Sequence, residues 1–154
     1  MDVFIEIAKL TMVGLIAGLF SSFVANRDFR YKKWWELRVS AYQALIESLS
    51  DLVHYYDKHY SAEIENREIN EEYEKKLGLF WEEAYPKVRK AADTGAFLFS
   101  PEVNQALESL IKNGRVRYTT YFEDLDNSLA EAKKCLAIVV ASSKRDLKIK
   151  SPWL

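Results

Sequence analysis

The sequence predicts an all-α protein: one N-terminal transmembrane helix followed by a cytoplasmic antiparallel helical bundle. Three observations carry this expectation. The run LTMVGLIAGLFSSFVA fills Leu10–Ala25 without a charge, apolar side chains then recur at alternating steps of three and four, and no alternating strand pattern bounded by turns occurs. The 154 residues are one domain's worth of chain, 49% are hydrophobic, and only three prolines and five glycines interrupt them. Residues 1–26 are assigned to the membrane and 27–154 to the bundle. No turn signal separates the span from the bundle's first helix until about His59.

With the Val3–Lys9 lead, the uncharged run approaches the roughly 20 residues a helix needs to cross a bilayer. A cleaved signal peptide fits less well, because basic charge is scarce at the start and Phe23 stands where a small residue would precede a cut after Ala25. Arg27, Arg30, Lys32, Lys33 and Arg38 crowd the C-terminal flank, against Asp2, Glu6 and Lys9 on the other side. The positive-inside rule therefore puts the N-terminus outside and the bundle in the cytoplasm. Trp34 and Trp35 add amphipathic rings at the headgroup level, so the anchors of this interface are Arg27, Arg30, Lys32, Lys33, Trp34 and Trp35. Within the run, Gly14, Gly18 and Ser22 form one ridge of small residues, and Ala17, Ser21 and Ala25 form the adjacent one. Two such ridges allow close backbone approach between helices, and a lone span meets that need by self-association.

The first bundle helix carries Trp35, Tyr42, Leu49 and Tyr56 seven apart, with Arg38, Leu45 and Leu52 between them, which is the spacing of a bundle seam. Arg38 breaks the pattern. It is read either as a stem laid along the seam and paired with a carboxylate of another helix, or as a ligand-binding residue. His54 and His59 lack the companions of a metal site. A second helix is expected over Ala62–Tyr85, with Ile69, Tyr73, Leu77, Phe80 and Ala84 on its apolar stripe and a glutamate-rich, solvated N-terminal half. Pro86 should kink or end it, and Lys87, Arg89 and Lys90 precede Gly95. Ser100 is the expected N-cap of a short helix with Pro101 and Glu102 in its first turn, an apolar face of Val103, Leu107, Leu110 and Ile111, and a stop at Asn113 and Gly114. A last helix is expected over Arg115–Leu147, with Tyr118, Phe122, Leu125, Leu129, Ala132, Leu136, Val139 and Ser143 as its stripe. Arg115, Arg117 and Tyr118 would then sit where free amides and the helix dipole favour an anion. Lys144, Arg145, Lys148 and Lys150 gather at its far end, suited to the dipole or to anionic lipid.

Lysine and arginine number 22 against 23 acidic residues, so nothing attracts duplex nucleic acid globally. The chain has no phosphate-cradling glycine loop, nucleophile elbow or zinc spacing, and no arginine precedes a histidine by four to six residues as in a helical ribonuclease. No catalytic residues, cofactor or metal are expected, and the protein is read as a non-enzyme. The single cysteine rules out an intrachain disulfide and fits a reducing compartment.

The membrane segment followed by Glu36, Arg38, Ala41, Tyr42, Leu45 and Leu49, the start Ser100, Pro101, Glu102 and Val103 leading into Leu107 and Leu110, and the closing Lys144, Arg145, Asp146 and Leu147 together resemble the single-span membrane effectors of bacterial anti-phage defence, the Hailong transmembrane effector among them. The resemblance implies a homo-oligomeric channel, a tetramer or larger, in the bacterial inner membrane, with a cytoplasmic bundle that senses a nucleotide or oligonucleotide. Arg38, Arg115, Arg117 and Tyr118 are the candidate ligand residues. Glu6, Leu10, Thr11 and Val13 would line the pore, which would be narrow, mostly apolar and suited to gating by dewetting. The rival expectation is a non-conducting membrane tether whose bundle recruits a cytoplasmic partner. A toxin that permeabilises membranes without a ligand is a third.

Overall fold

The computed structural model describes the backbone of residues 2–147 and the side chains of that range except 2–20, 22–24, 28 and 96. Regular structure among the described residues is entirely helical: α1 Asp2–Ile64, α2 Glu71–Thr94, α3 Pro101–Asn113 and α4 Tyr121–Asp146, with a short 3-10 turn over Gly95–Phe97. The chain divides into two compact units, Met1–Leu37 and Arg38–Leu154.

The first unit consists of the N-terminal part of α1. Ser21, Ala25, Arg27, Arg30 and Lys32 are exposed, as are Trp34 and Trp35. Lys33 lies 3.3 Å from the Glu36 carboxylate and 6.0 Å above the Phe29 ring. The side chains of Glu6, Leu10, Thr11, Val13, Gly14, Ala17, Gly18 and Ser22, which the sequence assigns to pore and helix packing, lie outside the described residues. Among the described residues no helix is long and apolar enough to cross a membrane.

The second unit is built on one core to which all four helices contribute. Tyr42, Leu45, Leu49 and Leu52 of α1 meet Ala84 and Val88 of α2, Val103, Leu107 and Leu110 of α3, and Ala132, Cys135 and Val139 of α4. Three contacts fix the direction of α4 against α1: Tyr42 with Asp146, Asp57 with Lys133, and Tyr60 with Phe122, so the two helices run antiparallel. His54 with Phe80 and His59 with Glu74 give the same sense to α1 and α2, and Glu102 with Arg145 and Ser109 with Glu131 to α3 and α4. The expected antiparallel packing follows.

Helix boundaries differ from expectation at three places. The first turn comes at Glu65–Asn70 rather than near His59, so the helix expected over Ala62–Tyr85 starts only at Glu71. Arg67 N–H donates to Ala62 O at 2.9 Å and Asn66 N–H to Glu63 O at 3.2 Å, with Asn66 in the left-handed region at φ 45°. That pairing is the Schellman stop, for which asparagine is the usual substitute for glycine. Asn70 then caps α2, its Oδ1 accepting from Glu72 N–H at 2.8 Å, and Glu71, Glu72 and Glu74 complement the positive end. Pro86 does not end α2, which continues to Thr94 with Pro86 on its exposed side. The third difference is at α4, which begins at Tyr121, six residues after Arg115. Thr120 Oγ1 accepts from Glu123 N–H while Glu123 Oε2 accepts from Thr119 N–H, a reciprocal cap that Arg115 and Arg117 have no means of forming. The α3 limits agree with expectation, although Ser100 caps by backbone geometry alone and makes no side-chain cap bond.

Candidate functional site

The most densely connected polar group in the second unit lies where α1, α3 and α4 come together around Asp146. The seam spacing puts Arg38 and Tyr42 one turn apart on the same stripe of α1. Asp146, in the last turn of α4, faces both: Tyr42 donates its hydroxyl proton to Oδ2, and Arg38 Nη2 reaches the same oxygen at 3.3 Å. Arg38 Nε also donates to Leu98 O at 3.0 Å, in the connection before α3. On the other side Arg145 Nε lies 3.4 Å from Asp146 Oδ1, and its Nη2 holds Glu102 Oε2 of α3 at 2.7 Å.

Burial gives this network its strength. The Asp146 side chain is 11% exposed and that of Arg38 26%, so their attraction is far less screened than that of the exposed pair Arg145–Glu102. Burial, reinforced by the Asp146 carboxylate, raises the Tyr42 hydroxyl above its ordinary pKa, so it stays a proton donor. Hydrogen bonding to Arg145 holds the Glu102 carboxyl below its usual range. Asp146 is committed to Tyr42, Arg38 and Arg145, while Glu102 and Arg145 also line an open cavity of about 510 Å³ between α3 and α4. Its chemistry is that of a latch fixing the register of α1 against α4, with Phe99 set edge-on to Tyr42 at 5.0 Å between ring centres.

This answers one sequence expectation directly: Arg38 does pair with a carboxylate of another helix. Two of its nitrogens are engaged, which leaves little for a ligand. Arg115, Arg117 and Tyr118 occupy the connection between α3 and α4 rather than a helix start, a correction to the expected Arg115–Leu147 helix. Tyr118 donates to Asn113 Oδ1 at 2.6 Å, while Arg115 and Arg117 are exposed. The anion-binding argument from free amides and dipole therefore does not apply to them, since Thr120, Glu123 and Asp124 occupy the true start of α4.

Sequence reading also missed a role for His59, which continues the α1 seam beyond Tyr56 and is 7% exposed. Its Nε2 lies 3.6 Å from Glu74 Oε1, beyond hydrogen-bond length, and has no hydrogen-bond partner. An open cavity of about 480 Å³ adjoins it, lined by Glu63, Glu68, Glu74, Arg67 and Tyr121. Arg67 is drawn off by Glu65 at 3.4 Å, so carboxylates dominate. Burial first, then Glu74 and Glu63, raise the Tyr121 hydroxyl, and burial followed by Tyr121 and Glu74 pushes Tyr55 up to about 12. That field repels phosphate. Among the described residues no three acidic, histidine or cysteine side chains come together as a metal site.

Comparison with protein families, with characterised proteins and with solved structures gives no match to this chain. Functional reasoning therefore rests on its own residues.

Proposed function

We propose that the protein is a homo-oligomeric single-span membrane channel, of the kind that serves as an effector in bacterial anti-phage defence, with its bundle on the cytoplasmic side. One observation carries the reading. α1 is a single helix, Asp2–Ile64, whose sequence holds both an uncharged run with two ridges of small residues and the bundle seam latched by Arg38 and Tyr42. The small ridges favour self-association in lipid, and the basic and aromatic residues 27–35 favour the cytoplasmic interface. The ligand expected from the resemblance is a nucleotide or oligonucleotide.

Ion flux through proteoliposomes, measured with the oligomer mass of each preparation, tests this. Wild type is expected to form a tetramer or larger species, and Gly18→Leu to lower both oligomer mass and flux. An unchanged oligomer with unchanged conduction in that variant refutes the packing argument. A second reading, the non-conducting tether, is favoured by the apolar side chains that α2 leaves in solvent, Leu79 at 56% and Phe80 at 40% exposure. Its signature is a monomer or dimer without flux.

A further inference from the structure

A second cavity, in the Arg38–Leu154 unit, differs from the acidic one in both wall and charge. It is an open groove of about 300 Å³ between α1, α2 and the turn before α3. Ala41, Ala44, Leu45, Ala91, Leu98 and Phe99 form its walls. The two hydroxyls that also line it are already committed: Ser48 Oγ donates to Ala44 O and Thr94 Oγ1 to Lys90 O, each at 2.8 Å. The wall therefore behaves as an apolar one. Two exposed cations, Lys87 and Lys90, contribute to its lining, and no carboxylate is among the described lining residues. Neither lysine has an ion-pair partner among the described residues.

An apolar groove lined by two lysines without ion-pair partners selects for a molecule that is apolar at one end and anionic at the other. The apolar part gains by leaving water, and the anionic head gains charge-assisted hydrogen bonds from the lysines. A nucleotide fits poorly, because neither hydroxyl of the wall has a proton left to donate to the edge of a base, and the remaining walls are apolar. The volume lies at the lower end of the roughly 300–1,000 Å³ typical of small-molecule sites, which favours a medium chain over a full lipid tail. We propose that this cavity binds a medium-chain anionic amphiphile, its carboxylate or phosphate between Lys87 and Lys90 and its chain against Leu45, Ala91, Leu98 and Phe99. The proposal is independent of whether the protein conducts.

The test uses the intact chain in nanodiscs of zwitterionic lipid and follows the acetylation rate of individual lysines by mass spectrometry. Octanoate and octyl phosphate are expected to slow labelling of Lys87 and Lys90 severalfold, leaving the α2 lysines Lys75 and Lys76 unaffected, while octylammonium and inorganic phosphate give no protection. Comparing the two anions tells a carboxylate ligand from a phosphate one. Octanoate affinity should fall about tenfold in Lys87→Gln/Lys90→Gln, the scale of a lost charge-assisted contact. Ala44→Phe, placed on an exposed helix position that lines the cavity, should fill the chamber, abolish protection and leave the circular dichroism spectrum unchanged. Protection that persists in Ala44→Phe, equal protection by octylammonium, or no protection by either anion overturns the proposal.

Discussion

Replacing Asp146 by alanine removes the acceptor that Tyr42 and Arg38 share, and the structure sets the scale of the loss. The Tyr42 hydroxyl bond has an ionised acceptor in a nearly buried site, where such bonds contribute about 1.5–3 kcal/mol. Arg38 keeps Leu98 O and is a quarter exposed, so leaving it unpaired costs on the order of 1 kcal/mol, well below the penalty for a fully buried charge. Arg145 keeps Glu102 and adds little. Asp146→Ala is therefore expected to destabilise the fold by about 3 kcal/mol, and Tyr42→Phe, which leaves the Arg38–Asp146 contact in place, by about 1.5 kcal/mol. The double variant should resemble Asp146→Ala, leaving a coupling energy of about 1.5 kcal/mol rather than additivity. Guanidinium unfolding in mild detergent, followed by far-ultraviolet circular dichroism, gives all three values. A loss below about 0.5 kcal/mol for Asp146→Ala, or strict additivity of the pair, refutes the latch as a cooperative unit.

Three further outcomes follow from local geometry. A Cβ on Gly95 would stand 2.6 Å from the Phe99 ring and 3.1 Å from Asn104 Oδ1, so Gly95→Ala should lower the melting temperature despite the ordinary backbone angles there, by a loss of about 1–3 kcal/mol as in overpacked cores. Asn66→Gly should stabilise by a few tenths of a kcal/mol to about 1 kcal/mol in the same unfolding assay, because glycine meets φ 45° without the Cβ penalty. Burial pushes the Cys135 thiol up to about 12, with Glu131 adding to it, so iodoacetamide at pH 8 should leave it unmodified until guanidinium unfolds the chain. The sign for stability follows: folding disfavours the thiolate, so this group subtracts stability only as pH rises past the unfolded thiol's value near 9.

Periodicity and punctuation in the sequence determined the helical class, the α1 seam from Arg38 to Tyr56, and the limits of α3. Those features depend on neighbours within a turn or two: steps of three and four align side chains on one face, Pro101 is pre-set for a first turn, and Gly114 interrupts one. Two of the missed boundaries were legible in principle. Asn66 ahead of the Asn70–Glu72 start, and Thr120 three residues before Glu123, are local capping signals outweighed by apolar residues that continued the stripe on either side. Arg38 was marked as an anomaly in a seam. Only the fold could say that its partner is Asp146, 108 residues away, because nothing in the spacing of either helix sets their relative register. The same holds for both cavities. Glu63, Glu68 and Glu74 read along the chain as a solvated face, and Lys87 and Lys90 as a basic final turn. Their meaning changed when packing set the carboxylates beside a buried His59 whose Nε2 has no hydrogen-bond partner, and the two lysines beside an apolar groove with no carboxylate among its described lining residues. Local sequence fixes which face of a helix is apolar. Which charges end up uncompensated is decided by the neighbours that the tertiary fold brings to that face.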